Sequence, residues 1–159
     1  MTNLRKQATK EDVQVAYFTR GLHHMFWPAD HPRVLLAEED NRMRILVATR
    51  LRRDGCLVLE AVDGRQLIAA VSTELARLQD GGRPIDIIIA SARLPGATGL
   101  EVLGAVRDFK WPVPFILLAA SSSANEVRRE GRRLGASATF EKPFELDDLV
   151  TAIAVLVSP

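Results

Sequence analysis

A single cysteine, Cys56, is all the thiol chemistry in this 159-residue chain, so no disulfide framework can be built and an apolar core must carry the fold. Charge of one sign is lacking too. The 21 basic and 20 acidic residues leave a net +1, which gives no overall attraction for nucleic acid or an anionic membrane. Aromatic residues make up only 6% and do not interleave with basic ones, and neither zinc-finger spacing nor a recognition-helix pattern occurs, so no nucleic-acid partner is expected. No long hydrophobic run is present: the apolar stretch at residues 149–157 is far shorter than the roughly 20 residues of a membrane-spanning helix. No charged start followed by an apolar stretch marks a secretory signal, and the expected location is the reducing cytoplasm. Internal repeats and low-complexity tracts are absent.

What the chain does have is 47% apolar residues, enough for the core of one domain. From Arg33 onward, short apolar runs alternate with longer amphipathic ones, the pattern of a parallel sheet covered by helices on both faces. Strands are predicted at 34–37, 57–61, 85–90, 115–118 and 138–140, most of them apolar on both faces. Met43, Leu46, Val47 and Leu51 keep helical spacing, and Asp54-Gly55 supplies the stop. Leu67, Ala70, Val71 and Leu75 mark a second helix, and Leu100, Leu103 and Val106 a third. Trp111-Pro112-Val113-Pro114 forces an extended entry into the fourth strand. Ser121-Ser122-Ser123 offers hydroxyl caps for a fourth helix ending near Gly135, and residues 145–157 read as the last.

Residues 1–32 stand apart from the domain at 33–159. Pro28-Ala29-Asp30-His31-Pro32 is a proline-bounded linker, and the segment before it reads as a separate helix over 9–26, with Thr9 and Asp12 arranged like a capping box. Val15, Phe18, Leu22 and Phe26 fall on one apolar stripe, although Gly21 within it costs about 1 kcal/mol relative to alanine. An isolated helix of this length is marginal in water, so the stripe is expected to be buried, on the domain or across a homodimer.

The third strand delivers its carboxyl end onto Ser91 and then Arg93-Leu94-Pro95-Gly96, a layout that normally presents a reactive carboxylate. Gly99 follows, Asp63-Gly64 follows the second strand, and Gly135-Ala136 precedes Lys142-Pro143-Phe144. Taken in order, these motifs make the segment from Arg33 to Val157 resemble a response-regulator receiver domain. The resemblance implies a doubly wound, five-stranded parallel α/β sheet of flavodoxin-like topology, with its site beyond the carboxyl ends of the strands. It also implies a cis Lys142-Pro143 bond. A working receiver holds Mg²⁺ with an acidic pair and an acceptor aspartate, and grips the phosphoryl group with a hydroxyl residue and a lysine. Here the acidic pair is Glu38 and Glu39, the acceptor position is Ser91, the hydroxyl switch is Ala119 and the aromatic switch is Thr139; only Lys142 is retained. Glutamates displace their oxygens by one methylene, which Mg²⁺ tolerates poorly, and a neutral serine is a weak nucleophile without an adjacent base.

These departures predict a non-enzymatic pseudo-receiver with no cofactor and no bound metal, taking its input from a protein partner in a signalling pathway. The alternative is a receiver with residual Mg²⁺-dependent phosphotransfer to Ser91 in a two-component phosphorelay. A flavodoxin-like cofactor binder is disfavoured, because no Gly-rich or Ser/Thr-rich phosphate loop follows the first strand. Lys142 is expected to pair with Glu38 or Glu39, with little energy if exposed. The two glutamates otherwise read as a solvated acidic turn capping the first helix. Arg42, Arg44, Arg50, Arg52 and Arg53 on the first helix, and Arg128, Arg129, Arg132 and Arg133 on the fourth, are solvated faces steadied by neighbours such as Glu126 and Glu130, or a dock for an acidic partner. His23, His24 and His31 lack metal-ligand spacing, since adjacent histidines do not share a helical face.

Overall fold

The structure, a computed structural model, describes residues 31–158. The expected helix at 9–26 lies outside them. Five strands alternate with five helices: β1 (Arg33–Ala37), α1 (Asn41–Arg53), β2 (Leu57–Ala61), α2 (Gly64–Gln79), β3 (Ile87–Ser91), α3 (Gly99–Asp108), β4 (Phe115–Ala120), α4 (Ala124–Leu134), β5 (Ala138–Lys142) and α5 (Leu146–Val157). Every pairing is parallel and the order is β2-β1-β3-β4-β5, the flavodoxin-like arrangement expected for the domain.

Alternation along the strands divides the interior in two. Val34, Leu36, Ile87, Ile89, Ile116 and Leu118 pack against α1 and α5. Leu35, Ile88, Ala90, Phe115 and Leu117 pack beneath α2, α3 and α4. Isoleucine, valine and leucine dominate because the central strands are covered on both faces and have no solvent side to keep polar. β2 departs from that expectation: at the sheet edge it leaves Leu57 and Glu60 exposed or half-exposed.

The helices follow their local signals with two corrections. In α1, Asp40 caps the first turn by accepting from the Met43 amide, and Gly55 takes a φ of 97° just past the end. The buried stripe there is Val47, Ala48 and Leu51, whereas Leu46 is 54% exposed, rotated about 100° from its neighbour and off the sheet-facing side. Ahead of α4, Ser121–Ser123 forms one 3₁₀ turn and none of the three hydroxyls caps the helix. Ser123 instead donates back to the Ala120 carbonyl at 3.4 Å, so the tightened turn replaces the side-chain cap. Cys56 is buried, and burial, with Asp54 and Asp86 nearby, pushes its thiol up to about 12, leaving it unreactive.

An ion pair that the strand and helix patterns did not reveal closes the amino-terminal edge of the sheet. Glu74 of α2 is buried and accepts from Arg33 through both guanidinium nitrogens, at 2.9 and 3.1 Å, and from the Ile85 amide at 2.9 Å. The signal was present in the sequence as an acidic residue three positions after Val71 on an apolar stripe. Arg83, just after α2, donates to Asp86 at 3.0 Å and to the His31 carbonyl at 3.2 Å. The incoming chain is thereby fastened beside the carboxyl end of α2.

Candidate functional site

The opposite, carboxyl edge of the sheet gathers the residues of interest. Glu38 follows β1 directly and its amide still bonds to the Ala61 carbonyl at 3.1 Å, so the strand geometry extends through it and carries its side chain inward. Ser91 ends β3, Ala119 and Ala120 end β4, and Lys142 ends β5 ahead of a cis bond to Pro143. Since β3 and β4 lie between β1 and β5, Lys142 and Glu38 meet over the ends of two strands. The small side chains of Ser91 and Ala119 at those ends leave room for the crossing.

Lys142 Nζ lies 2.6 Å from Glu38 Oε2 and 3.4 Å from Ser91 Oγ. Glu38 is fully buried while the lysine side chain is 21% exposed. The Glu38 contact is ionic and not a well-directed hydrogen bond: Oε2 has no partner at hydrogen-bonding angles, but an ammonium at this distance satisfies its charge. Glu38 Oε1 accepts from the Asp40 amide at 3.0 Å. Burial pushes the Glu38 carboxyl above the usual glutamate range, the neighbouring Glu39 carboxyl adds to the rise, and the lysine and the Asp40 amide oppose it without cancelling it.

The two glutamates therefore do not form a solvated acidic turn: Glu38 is buried and Glu39 exposed, although their carboxyl groups still meet, and the helix cap falls to Asp40. Nor is the lysine pair a surface one, as its expected small energy assumed.

Ser91 is also buried, and its hydroxyl donates to the Arg93 carbonyl at 3.3 Å while accepting from Lys142. Ala119 is buried and presents only a methyl group. Thr139 stands mid-strand in β5, partly buried. Two glycines let the surrounding loops close on this edge. A Cβ on Gly99 would sit 2.3 Å from the Ser91 carbonyl oxygen, and one on Gly64 2.2 Å from the Ala97 oxygen. Gly64 also donates to the Pro95 carbonyl at 2.8 Å, tying the β2–α2 turn to the loop after Ser91. Thr98 and Glu101 form a reciprocal capping box at the start of α3.

The donor set does not suit Mg²⁺. Of the groups that would supply oxygens, Glu38 has one engaged by an amide and the other by an ammonium, Ser91 is neutral and Glu39 is solvent-exposed. Among the described residues no group of three or more histidine, cysteine, aspartate or glutamate side chains could hold a metal ion. His23 and His24 lie outside the described residues.

The arginine clusters are largely tied within the chain. Arg44 and Arg52 reach Glu60 at 3.3 and 3.0 Å, and Arg50 reaches both Asp54 and Asp147 at 2.8 Å. In α4, Arg133 pairs with Glu130 as its spacing suggests, whereas Arg128 turns to Glu141 of β5 at 3.1 Å. Among the described residues, no helix is long and apolar enough to cross a membrane.

Residues 34–154 match the response regulator receiver domain family. The transcriptional regulatory protein PdtaR of Mycobacterium tuberculosis is 35% identical over 127 residues, 79% of this chain and 57% of that protein. TcrA of the same organism, also a transcriptional regulatory protein, is 32% identical over 124 residues, 78% of this chain and 45% of that protein. The chain thus spans about half the length of these curated relatives. Among solved structures, the chemotaxis response regulator CheY4 of Vibrio cholerae superposes with a TM-score of 0.65 at 26% identity, covering 80% of this chain and 99% of that one. With the family model matching most of its length, this chain belongs to the response regulator receiver domain family.

Proposed function

We propose that this receiver works without phosphorylation, as a protein-interaction module of a signalling pathway in which binding of a partner protein supplies the input. One observation carries the reading. The ammonium that would hold a phosphoryl group lies 2.6 Å from a buried glutamate and rests 3.4 Å from a serine hydroxyl. Charge is already balanced inside the chain where an incoming phosphoryl group would have to balance it.

The surrounding chemistry supports the same conclusion. The Ser91 hydroxyl contacts the Lys142 amine and the Arg93 carbonyl, and among the described residues neither a histidine nor a carboxylate is hydrogen-bonded to it as a base. Ala119 offers no hydrogen bond through which a phosphoryl group could draw β4 and the following loop inward. The receiver signal would then be carried by the surface as it stands.

The test is a chemical-shift titration of the full chain with Mg²⁺ and beryllofluoride together. No saturable shift is expected around Glu38, Ser91 or Lys142. Saturable shifts at millimolar concentrations or tighter would overturn the proposal in favour of residual phosphotransfer. The variant Ser91→Asp should show at most weak Mg²⁺ binding, and a conformational response should require Ala119→Thr as well.

A further inference from the structure

An apolar groove of about 400 Å³ runs between α2 and α3, lined by Ile68, Val71 and Leu75 on one side and Val102, Ala105 and Phe109 on the other. It lies away from the strand-end site, along the outer seam of two helices. Phe109 is 68% exposed at its lower end and Ile68 48% exposed on its wall.

The position of the chain entry identifies an occupant. α2 and α3 run antiparallel to the strands, so Gln79 and Phe109, the last groove residues of each, lie at the amino-terminal edge of the sheet. The described chain begins at that edge, with the His31 carbonyl held by Arg83 at 3.2 Å, immediately beyond the carboxyl end of α2. Upstream, Val15, Phe18, Leu22 and Phe26 make an apolar stripe at helical spacing. Along a helix the stripe would extend about 16 Å, against about 15 Å for the ten residues of α3. The steps from Phe26 to His31 span at most about 17 Å, enough to reach the groove mouth and too few to carry the stripe freely around the molecule.

We propose that the amino-terminal segment of this chain docks as a helix in its own α2–α3 groove, roughly parallel to both helices, with Phe26 against Phe109 and Val15 toward Ile68. Docking buries the stripe that an isolated helix would leave in water and covers the apolar wall, with Gln79 and Glu101 at the polar rim. The inference is independent of whether Ser91 accepts phosphate.

Paramagnetic relaxation in the full chain tests it. A nitroxide on Asp108→Cys, exposed beside Phe109, should broaden the amides of Leu22 to Phe26, while one on Asp148→Cys, exposed on the opposite face, should leave them sharp. Cys56 is buried and does not compete for the label. The full-chain variant Leu22→Ser should shift the amides of Val71, Leu75, Ala105 and Phe109. Three results would overturn the proposal: no broadening from position 108; shifts confined to the exposed α1 side chains Ile45 and Leu46; or broadening that survives when labelled and isotope-enriched chains are different molecules, which would make the occupant a second copy.

Discussion

Lys142 and Glu38 meet with unequal exposure, and that inequality sets what each contributes. The glutamate is fully buried and the lysine 21% exposed, so removing the lysine strands a charge that water cannot reach, whereas removing the glutamate leaves an ammonium with some access to solvent. Lys142→Met is expected to destabilise by about 3 kcal/mol, at the low end for a broken buried pair, and Glu38→Gln by less. Their pH dependence separates them further. Because the folded-state pKa of Glu38 is raised, the folded protein holds this proton where the unfolded chain has lost it. The stabilising contribution is complete below the unfolded value near 4.5 and is lost as pH rises through the higher folded value. Glu38→Gln should therefore gain on the parent protein between acid and neutral pH, measured as the difference in urea midpoints; a constant difference would exclude the mechanism.

At the scale of elements, Gly64 and Gly99 are where two helices and two loops come together around Ser91. Gly99→Ala would force a methyl group to within 2.3 Å of the Ser91 carbonyl oxygen, a backbone atom that cannot rotate away. A loss of about 1–3 kcal/mol is expected, with amide shifts centred on β3 and the start of α3. An unchanged denaturation midpoint would show that the helix start relaxes instead. These glycines also show what was legible in the sequence. Their spacing relative to the strands, with Lys142-Pro143-Phe144, carried the fold, and the alternation of Val34, Leu36, Ile87 and Ile89 against Leu35 and Ile88 assigned the strands to a sheet buried on both faces. The identities at 38, 91, 119, 139 and 142 were legible as well. Burial was not: the adjacent Glu38 and Glu39 looked equivalent, and only the extension of β1 by one more hydrogen bond buried the first while the second stayed exposed. The Glu74 pair was half legible: an acidic residue on the apolar stripe marked a buried carboxylate, but nothing local named its partner 41 positions away.

For the whole molecule, the Glu74 pair matters because it joins β1, α2 and the approach to β3 at one buried point. Glu74→Ala would leave the Ile85 amide without its acceptor and the Arg33 guanidinium without its counter-charge, held by the Arg83 carbonyl at 2.7 Å. A cost of about 3 kcal/mol is expected, which for a protein of this size lowers the melting temperature by about 6–12 °C. A drop of a degree or less would mean that water replaces the carboxylate.

Among the described residues the sheet ends in two edge strands, β2 and β5, and each carries a glutamate held by arginine: Glu60 by Arg44 and Arg52, Glu141 by Arg128. An unpaired strand edge is a template on which another chain can extend the sheet, and charge there discourages such growth. A second molecule adding to either margin would have to strip water from these ion pairs before gaining a single ladder bond. Fibrillar stacking through the backbone is thus disfavoured from both sides, and neutralising Glu60 and Glu141 is the change that would unguard it.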